Sequence, residues 1–188
     1  SCIGFNGGAL SIGDNAGGTT LHRVVFESGE GALGGAIFVA DGESLIADEI
    51  TVQDIESDMG ALFLAPGAQA VLDHATFQDN LATESYGAAI AVVQANLTMS
   101  NSLITRNQAA EGAGIFAESS TLDLAGVEIS HNEGNPATPQ TPRGTGMFIH
   151  DSSLDGQHLS FVSNSGSVGS AFLGQGSSVT LLDSVVRG

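Results

Sequence analysis

The sequence contains no lysine and no tryptophan, and it has only one cysteine, four prolines and one tyrosine. A single cysteine excludes both an intrachain disulfide and a zinc site built from paired cysteines. No apolar run approaches the ~18 residues that a membrane-spanning helix needs. We therefore expect a fold without covalent cross-links and no membrane insertion by this segment.

Positive charge is also scarce. The chain has 21 acidic residues and only four basic ones, which gives a formal net charge of −17. A nucleic-acid-binding protein needs a basic surface to displace the counterions of the phosphates. The charge balance thus excludes nucleic acid as a partner, and it disfavours anionic lipid surfaces for the same reason.

Glycine, by contrast, is abundant, with 26 residues that punctuate an internal repeat. Small residues followed by an apolar residue recur seven times, and the apolar members are Leu10, Ile37, Leu62, Ile90, Ile115, Met147 and Phe172. Their spacings are 27, 25, 28, 25, 32 and 25 residues. A fixed period near 25 indicates a solenoid in which each repeat stacks on the previous one.

A second motif keeps register with the first and places asparagine three positions after an apolar residue. Four copies carry the asparagine, at Asn80, Asn107, Asn132 and Asn164. The first two copies have Gly29 and Ile55 in its place. Apolar residues alternate between the motifs, which is typical of short strands. We therefore expect stacked parallel strands with a hydrogen-bonded asparagine ladder at one turn.

The segments NLTMSNSLITRNQAAEGAGIF and GGAIF resemble the GGA[ILV]/FxxN repeats of polymorphic outer-membrane proteins and related bacterial surface proteins. The resemblance implies a right-handed, single-stranded parallel β-helix of the pectate-lyase-like superfamily. It also implies an extracellular or cell-surface location, either secreted or associated with the bacterial outer membrane. We predict an all-β fold with about seven turns, or rungs, in one domain over residues 1–188.

Neither end of the repeat array shows a polar cap, which a solenoid needs to cover its terminal strands. We therefore expect this chain to be a segment of a longer β-helix. The alternative is that residues 2–4 form a short irregular cap.

Stacking converts the repeat spacing into columns of neighbouring side chains, about 4.8 Å apart. One column contains Asp54, Asp79, Arg106 and His131, and another contains Arg23, Glu49 and His74. In an enzyme, the first column would provide the catalytic groups of a polysaccharide lyase or glycoside hydrolase, and Asp54 and Asp79 would be the ligands for Ca²⁺. The simpler interpretation is an exposed ladder of charges without catalytic function. We favour the ladder, and we expect no catalytic residue and no cofactor.

A third column consists of aromatic residues, namely Phe38, Phe63, Phe116 and Phe148. Because the flanking positions, such as Ile37 and Val39, are consistently apolar, we assign those to the core and the phenylalanines to an outward stripe. A slip of one residue would exchange the two faces. An outward apolar stripe is typical of an interface.

The longest insertion, at residues 133–143, contains three of the four prolines. Loops that protrude from a rigid scaffold often carry binding specificity, so Pro139 and Arg143 join the interface candidates. The alternative is a tolerated surface insertion.

These features favour a non-enzymatic adhesin or structural rod that binds through the stripe and the loop. The expected partner is a protein or glycan on a cell surface, or another copy of the chain. The alternatives are a carbohydrate-active enzyme that uses the charged column and an oligomeric fibre or spike segment.

Overall fold

The computed structural model describes residues 3–13, 16–137 and 141–188, so Cys2 and Pro139 lie outside the described residues. The described residues form 27 short β-strands and no helix. The strands of the described residues pair in parallel, as in the pairing of β11 (Gln69–Asp73) with β15 (Asn96–Ser100). The predicted all-β solenoid of about seven rungs is therefore confirmed.

Each rung passes through four sheets, which we call A, B, C and D in chain order. Sheet A contains β1 (Ile3–Asn6), β5 (Glu30–Leu33), β9 (Glu56–Met59), β13 (Leu81–Tyr86), β17 (Gln108–Ala109) and β21 (Glu133–Gly134). Sheet B contains β2 (Leu10–Ile12), β6 (Ile37–Val39), β10 (Leu62–Leu64), β14 (Ile90–Val93), β18 (Ile115–Glu118), β22 (Met147–His150) and β25 (Phe172–Gln175).

The other two sheets complete the rung. Sheet C contains β3 (Thr19–His22), β7 (Ser44–Asp48), β11, β15, β19 (Thr121–Ala125), β23 (Ser153–Gln157) and β26 (Ser178–Leu182). Sheet D contains β4 (Val25–Glu27), β8 (Thr51–Gln53), β12 (Thr76–Gln78), β16 (Leu103–Thr105), β20 (Glu128–Ser130), β24 (Ser160–Val162) and β27 (Val185–Arg187).

Left-handed backbone conformations turn the chain from one sheet to the next. At the A/B corner this residue is the first glycine of the repeat motif, as at Gly34 with φ 62°. Glycine adopts this conformation without a steric penalty, which explains why the motif requires it. At the D/A corner the same role falls to Ser28, Asp54, Asp79, Arg106, His131 and Ser163, with φ between 51° and 57°.

The core runs through the solenoid as one continuous cluster from Ile12 to Phe161. Ile37 and Val39 are fully buried, so the assignment of their columns to the core is correct. Strand β11 shows why the alternation works, because Ala70 and Leu72 face inward while Val71 is exposed. Phe77 and Phe161 are among the largest fully buried side chains.

Candidate functional site

Two columns of side chains face each other at the corner between sheets A and B, and the depression between them, which is lined by residues from Met59 to Gln175, is what we call the A/B groove. One column belongs to the sheet A side and is formed by the residue that precedes each corner glycine. Its members are register partners on successive rungs, namely Leu33, Met59, Tyr86, Glu111, Arg143 and Val168. The facing wall is the outward column of sheet B, namely Phe38, Phe63, Ala91, Phe116, Phe148 and Leu173. The groove therefore brings together two columns that come from neighbouring parts of the repeat.

The phenylalanines do point outward from sheet B, but most of their surface is covered. Phe63, Phe116 and Phe148 are only 7%, 5% and 4% exposed. Phe38 and Phe63 stack with their ring centroids 5.7 Å apart, and Phe116 lies 5.8 Å from Phe148. Side chains of the sheet A wall pack against these three outward-facing rings and leave little of them exposed. Their role as an interface stays a prediction.

Tyr86 adds an aromatic ring from the sheet A wall of the groove. In the facing row, Ala91 stands between Phe63 and Phe116. The Tyr86 ring lies 4.7 Å from the Phe116 ring and is only partly buried. Tyr86 therefore presents an aromatic surface with a polar hydroxyl in the middle of the groove.

The half of the groove nearer the C-terminus is charged. Arg143 donates from Nε to Oε1 of Glu111 at 3.0 Å and also contacts that oxygen through Nη2. Its guanidinium lies 5.4 Å above the centre of the Phe148 ring, a cation–π arrangement. The Glu111 side chain is 8% exposed and that of Arg143 is 36% exposed, so the carboxylate is buried while the guanidinium still reaches solvent. The contacts with Glu111 and Phe148 hold Arg143, which the sequence predicted as an interface residue, at the groove.

Further polar side chains form the rim. His150 lies 3.8 Å from Glu118, measured from Nδ1 to Oε1, and Gln175 is one rung further along the same column. Together with Tyr86, Phe116 and the Glu111–Arg143 pair, these residues line a depression of about 250 Å³. An aromatic floor with acceptors and donors at its edge is suited to a ligand with both apolar and polar surface.

The charged column lies at the D/A corner, and the structure brings three of its four members together. Asp79, Arg106 and His131 line one depression of about 340 Å³, whereas Asp54 lies one rung away and outside its lining. Arg106 donates to both carboxylate oxygens of Asp79, at 2.7 Å and 2.8 Å. The hydrogen bond to Asp79 raises the pKa of Arg106, and the charges of Asp79 and Asp54 add to that effect.

These contacts bear on the predicted Ca²⁺ pair. Both oxygens of Asp79 accept from Arg106, so this carboxylate is already paired with a cation. Within the described ranges, the clusters of at least three metal-ligating groups lie at the C/D corner, and neither includes Asp54 or Asp79. Calcium at that pair remains a prediction without geometric support.

The four predicted asparagines form a continuous ladder one residue after the charged column. The side-chain nitrogen of each asparagine donates to the side-chain oxygen of the asparagine one rung later, at 2.8 Å from Asn80 to Asn107 and 2.9 Å from Asn107 to Asn132. At the start of the ladder, Asn80 Oδ1 accepts from the Ile55 backbone N–H at 3.1 Å. The step from Asn132 to Asn164 is 3.0 Å. The ladder stabilises the corner beside the charged column.

The described parts of the insertion at residues 133–143 are anchored to the solenoid at both ends. Asn135 is 5% exposed and donates from Nδ2 to the Ala82 carbonyl, two rungs away, at 3.0 Å. Pro142 packs against Gly134, and Arg143 enters the A/B groove. The loop therefore delivers Arg143 to the groove, while the predicted role of Pro139 falls outside the described residues.

Sequence reasoning missed six groove residues, namely Met59, Tyr86, Glu111, Glu118, His150 and Gln175. A signal was present, because the position before each corner glycine changes from Leu33 and Met59 to Glu111 and Arg143 along the repeat. Such a change from apolar to charged residues within one column indicates that this part of the surface differs in function from the rest.

The parallel stacking, the buried ladder and the absence of helix in the described ranges define a β-solenoid as the class of protein. The chain matches the family model for the right handed beta helix region over residues 6–186, and it therefore belongs to that family. No curated protein and no solved structure matches it. The described residues include no helix long and apolar enough to cross a membrane.

Proposed function

We propose that this chain is the rigid rod of a secreted or cell-surface protein and that it binds a partner, without catalysis, through the A/B groove. The observation that carries the proposal is the groove itself, in which Tyr86, the Glu111–Arg143 pair and His150 line one depression. Its residues come from successive rungs and are held on or next to strands. The proposed contact surface is the groove, in which Phe116 and Phe148 of the phenylalanine stripe lie beside residues of sheet A.

The rigidity of the groove supports a binding function. Each wall is a column of register partners, and the backbone hydrogen bonds between rungs fix its spacing, as at Gly87 N to Glu111 O (3.0 Å) and Gly112 N to Arg143 O (3.1 Å). A preformed surface loses little conformational entropy when it binds a partner. An extended partner that lies along the axis can contact several rungs at once.

The chemistry of the groove favours a glycan or an extended polypeptide. Tyr86 offers an aromatic face, while Glu118, His150 and Gln175 offer donors and acceptors around it. The net charge of −17 opposes nucleic acid as a partner. The surface location is part of the proposal and is supported by the resemblance to polymorphic outer-membrane-protein repeats.

A binding screen with groove variants tests this function. The intact chain is applied to an array of neutral and acidic glycans and to immobilised extracellular proteins, beside Tyr86→Ala and His150→Gln. We expect bound signal that falls at least fivefold in both variants and is unchanged in Asp123→Asn, a matched control on the exposed face of sheet C. Signal that is equal in all four proteins, or absent on every surface, would contradict groove binding.

The enzyme hypothesis keeps one specific observation in its favour, since Asp79, Arg106 and His131 share a depression. Incubation with a panel of polysaccharides, with and without Ca²⁺, tests it through the absorbance of unsaturated uronates and new reducing ends. We expect no turnover. Turnover that is lost in Asp79→Asn would overturn the non-enzymatic proposal and assign the charged column as an active site.

The fibre alternative predicts self-association through the phenylalanine column. Because Phe63, Phe116 and Phe148 are nearly buried within one chain, little of that apolar surface is left for a second copy. We expect light scattering to report a mass that does not rise with protein concentration. A mass that rises and that falls back in Tyr86→Ala would favour assembly through the groove.

A further inference from the structure

A cluster of imidazole and carboxylate groups lies at the C/D corner, a different corner of the rung from the A/B groove. His22, Asp48 and Asp73 are successive register partners on β3, β7 and β11. His74 follows Asp73 and turns the corner with φ 48°. The repeat thus places two histidines and two aspartates on three neighbouring rungs, where the sequence showed only the mixed-charge column of Arg23, Glu49 and His74.

In both Asp48 and Asp73, one carboxylate oxygen is held by hydrogen-bond donors and the other faces His74 Nδ1. Asp73 accepts at Oδ1 from Ser100 Oγ at 2.7 Å and from Asn101 Nδ2 at 2.9 Å. Its Oδ2 lies 2.9 Å from His74 Nδ1. These hydrogen bonds and the charge of His74 lower the pKa of Asp73, which keeps it ionised.

Asp48 is oriented in the same way from the other side. Its Oδ2 lies 3.0 Å from His22 Nδ1, while its Oδ1 lies 3.7 Å from His74 Nδ1. Arg23 donates from Nε to His22 Nε2 at 2.7 Å, so the neutral His22 ring carries its proton on Nδ1 and donates it to Asp48. This arrangement orients the carboxylate and leaves Oδ1 available.

We propose that Asp48 Oδ1, Asp73 Oδ2 and His74 Nδ1 form a three-ligand site for a divalent transition-metal ion such as Zn²⁺, completed by water. Two ligand atoms bound tetrahedrally at zinc distances are about 3.3 Å apart. The separations of 2.9 Å and 3.7 Å from His74 Nδ1 lie on either side of that value.

The surrounding groups match what metal sites require beyond the ligands. Ser100, Asn101 and His22 supply hydrogen bonds that fix the ligating carboxylates. The exposed side-chain fractions of 58% for His74 and 43% for Asp48 leave room for coordinated water. The imidazole ligand favours Zn²⁺ over Ca²⁺ or Mg²⁺. The neighbouring group of His22, Asp48 and Glu49 is disfavoured because the Arg23 cation already contacts it.

Calorimetric titration of the chain with ZnCl₂ tests the site. The key variant is His74→Asn, because asparagine stands at the equivalent corner position one rung later, Asn101, with the same φ of 48°. The matched control is His158→Asn at the same corner, where φ is 53° and the imidazole lies 4.0 Å from a single carboxylate, Asp183. Both variants retain Cys2, so a contribution from the thiol cancels.

We expect saturable binding of one Zn²⁺ in the parent and the control, and at least a tenfold loss of affinity in His74→Asn. Ser100→Ala should weaken binding about tenfold, the effect typical of a group that orients a ligand. Far-UV circular dichroism without metal establishes that each variant folds. Absence of saturable binding in the parent, or equal affinity in His74→Asn and His158→Asn, would overturn the site, as would Ca²⁺ binding at least as tight as Zn²⁺.

Discussion

The asparagine ladder and the charged column occupy adjacent positions at the same corner, yet they differ in solvent exposure and in how their polar groups are paired. Asn80, Asn107 and Asn132 are at most 1% exposed. The Arg106 side chain, one residue before Asn107, is 53% exposed, and that of Asp79 is 36% exposed. The left-handed residue turns its own side chain outward, and the next residue points into the wall of the solenoid.

The two columns also differ in how completely their polar groups are paired. Asn107 accepts the backbone N–H and the side-chain nitrogen of Asn80, at 3.1 Å and 2.8 Å. It donates in turn to Phe77 O and to Asn132 Oδ1, at 3.2 Å and 2.9 Å. In the charged column, Asp79 and Arg106 pair with each other in solvent. A repeated polar residue therefore stabilises the solenoid where it is buried, while the exposed column is free to vary.

Asn107→Ala should produce the largest effect. It removes the acceptor of the Asn80 backbone N–H, one of the two acceptors of Asn80 Nδ2 and the side-chain donor to the Phe77 carbonyl. Each buried polar group left unpaired costs about 1–3 kcal/mol. We expect the free energy of unfolding to fall by about 3 kcal/mol, measured by urea denaturation. A loss as small as that of an exposed residue would show that water can replace the ladder.

Asn164→Ala should have an intermediate effect. Asn164 is partly buried and lies at the end of the ladder, where it accepts from Asn132 N and Nδ2, both at 3.0 Å. Water can reach this position more readily, so we expect a loss of about 1–2 kcal/mol in the same measurement. A loss equal to that of Asn107→Ala would indicate that the ladder acts as one cooperative unit.

Arg106→Met keeps the aliphatic part of the side chain and removes the ion pair with Asp79. Exposed ion pairs contribute about 0–1 kcal/mol, so we expect the free energy of unfolding to change by less than 1 kcal/mol. The difference should shrink further in 0.5 M salt because the charges are screened. A larger loss that persists in salt would mean that the column has a structural role of its own.

The sequence was sufficient to predict most of the fold. The spacing of Ile37, Leu62 and Ile90 defined the rungs, and the positions of Asn80 and Asn107 defined the ladder. The two exceptions to the ladder also have a structural reason. Ile55 is 2% exposed and fills core space where asparagine would stand, and Gly29 leaves room for its side chain. Columns of this kind are predictable because the strand period fixes which residues stack.

The candidate site was less predictable because it depends on the angle between sheets. The sequence placed Phe116 and Phe148 on the outside of sheet B, but it did not specify that sheet A folds against them. Nor did it show that the Tyr86 ring packs against Phe116 or that Glu111 holds Arg143 over Phe148. Contacts between different columns require the shape of the corner, which the repeat period does not encode.

Asp73 gives the smallest predicted effect, and its direction follows from its hydrogen bonds. Ser100, Asn101 and His74 lower its pKa from the ordinary 3.8 in the folded state. A carboxyl whose pKa is lowered by folding stabilises the protein fully above pH 3.8 and loses that contribution as the pH falls toward the folded pKa.

The difference in thermal midpoint between the parent and Asp73→Asn should therefore be larger at pH 5 than at pH 3. Asp123→Asn, an exposed aspartate on the same sheet, provides the comparison. A difference that stays constant with pH would show that Ser100, Asn101 and His74 stabilise the ionised and the protonated Asp73 carboxyl equally. A difference that grows on acidification would mean that the folded state favours the protonated form, opposite to the direction that the hydrogen bonds imply.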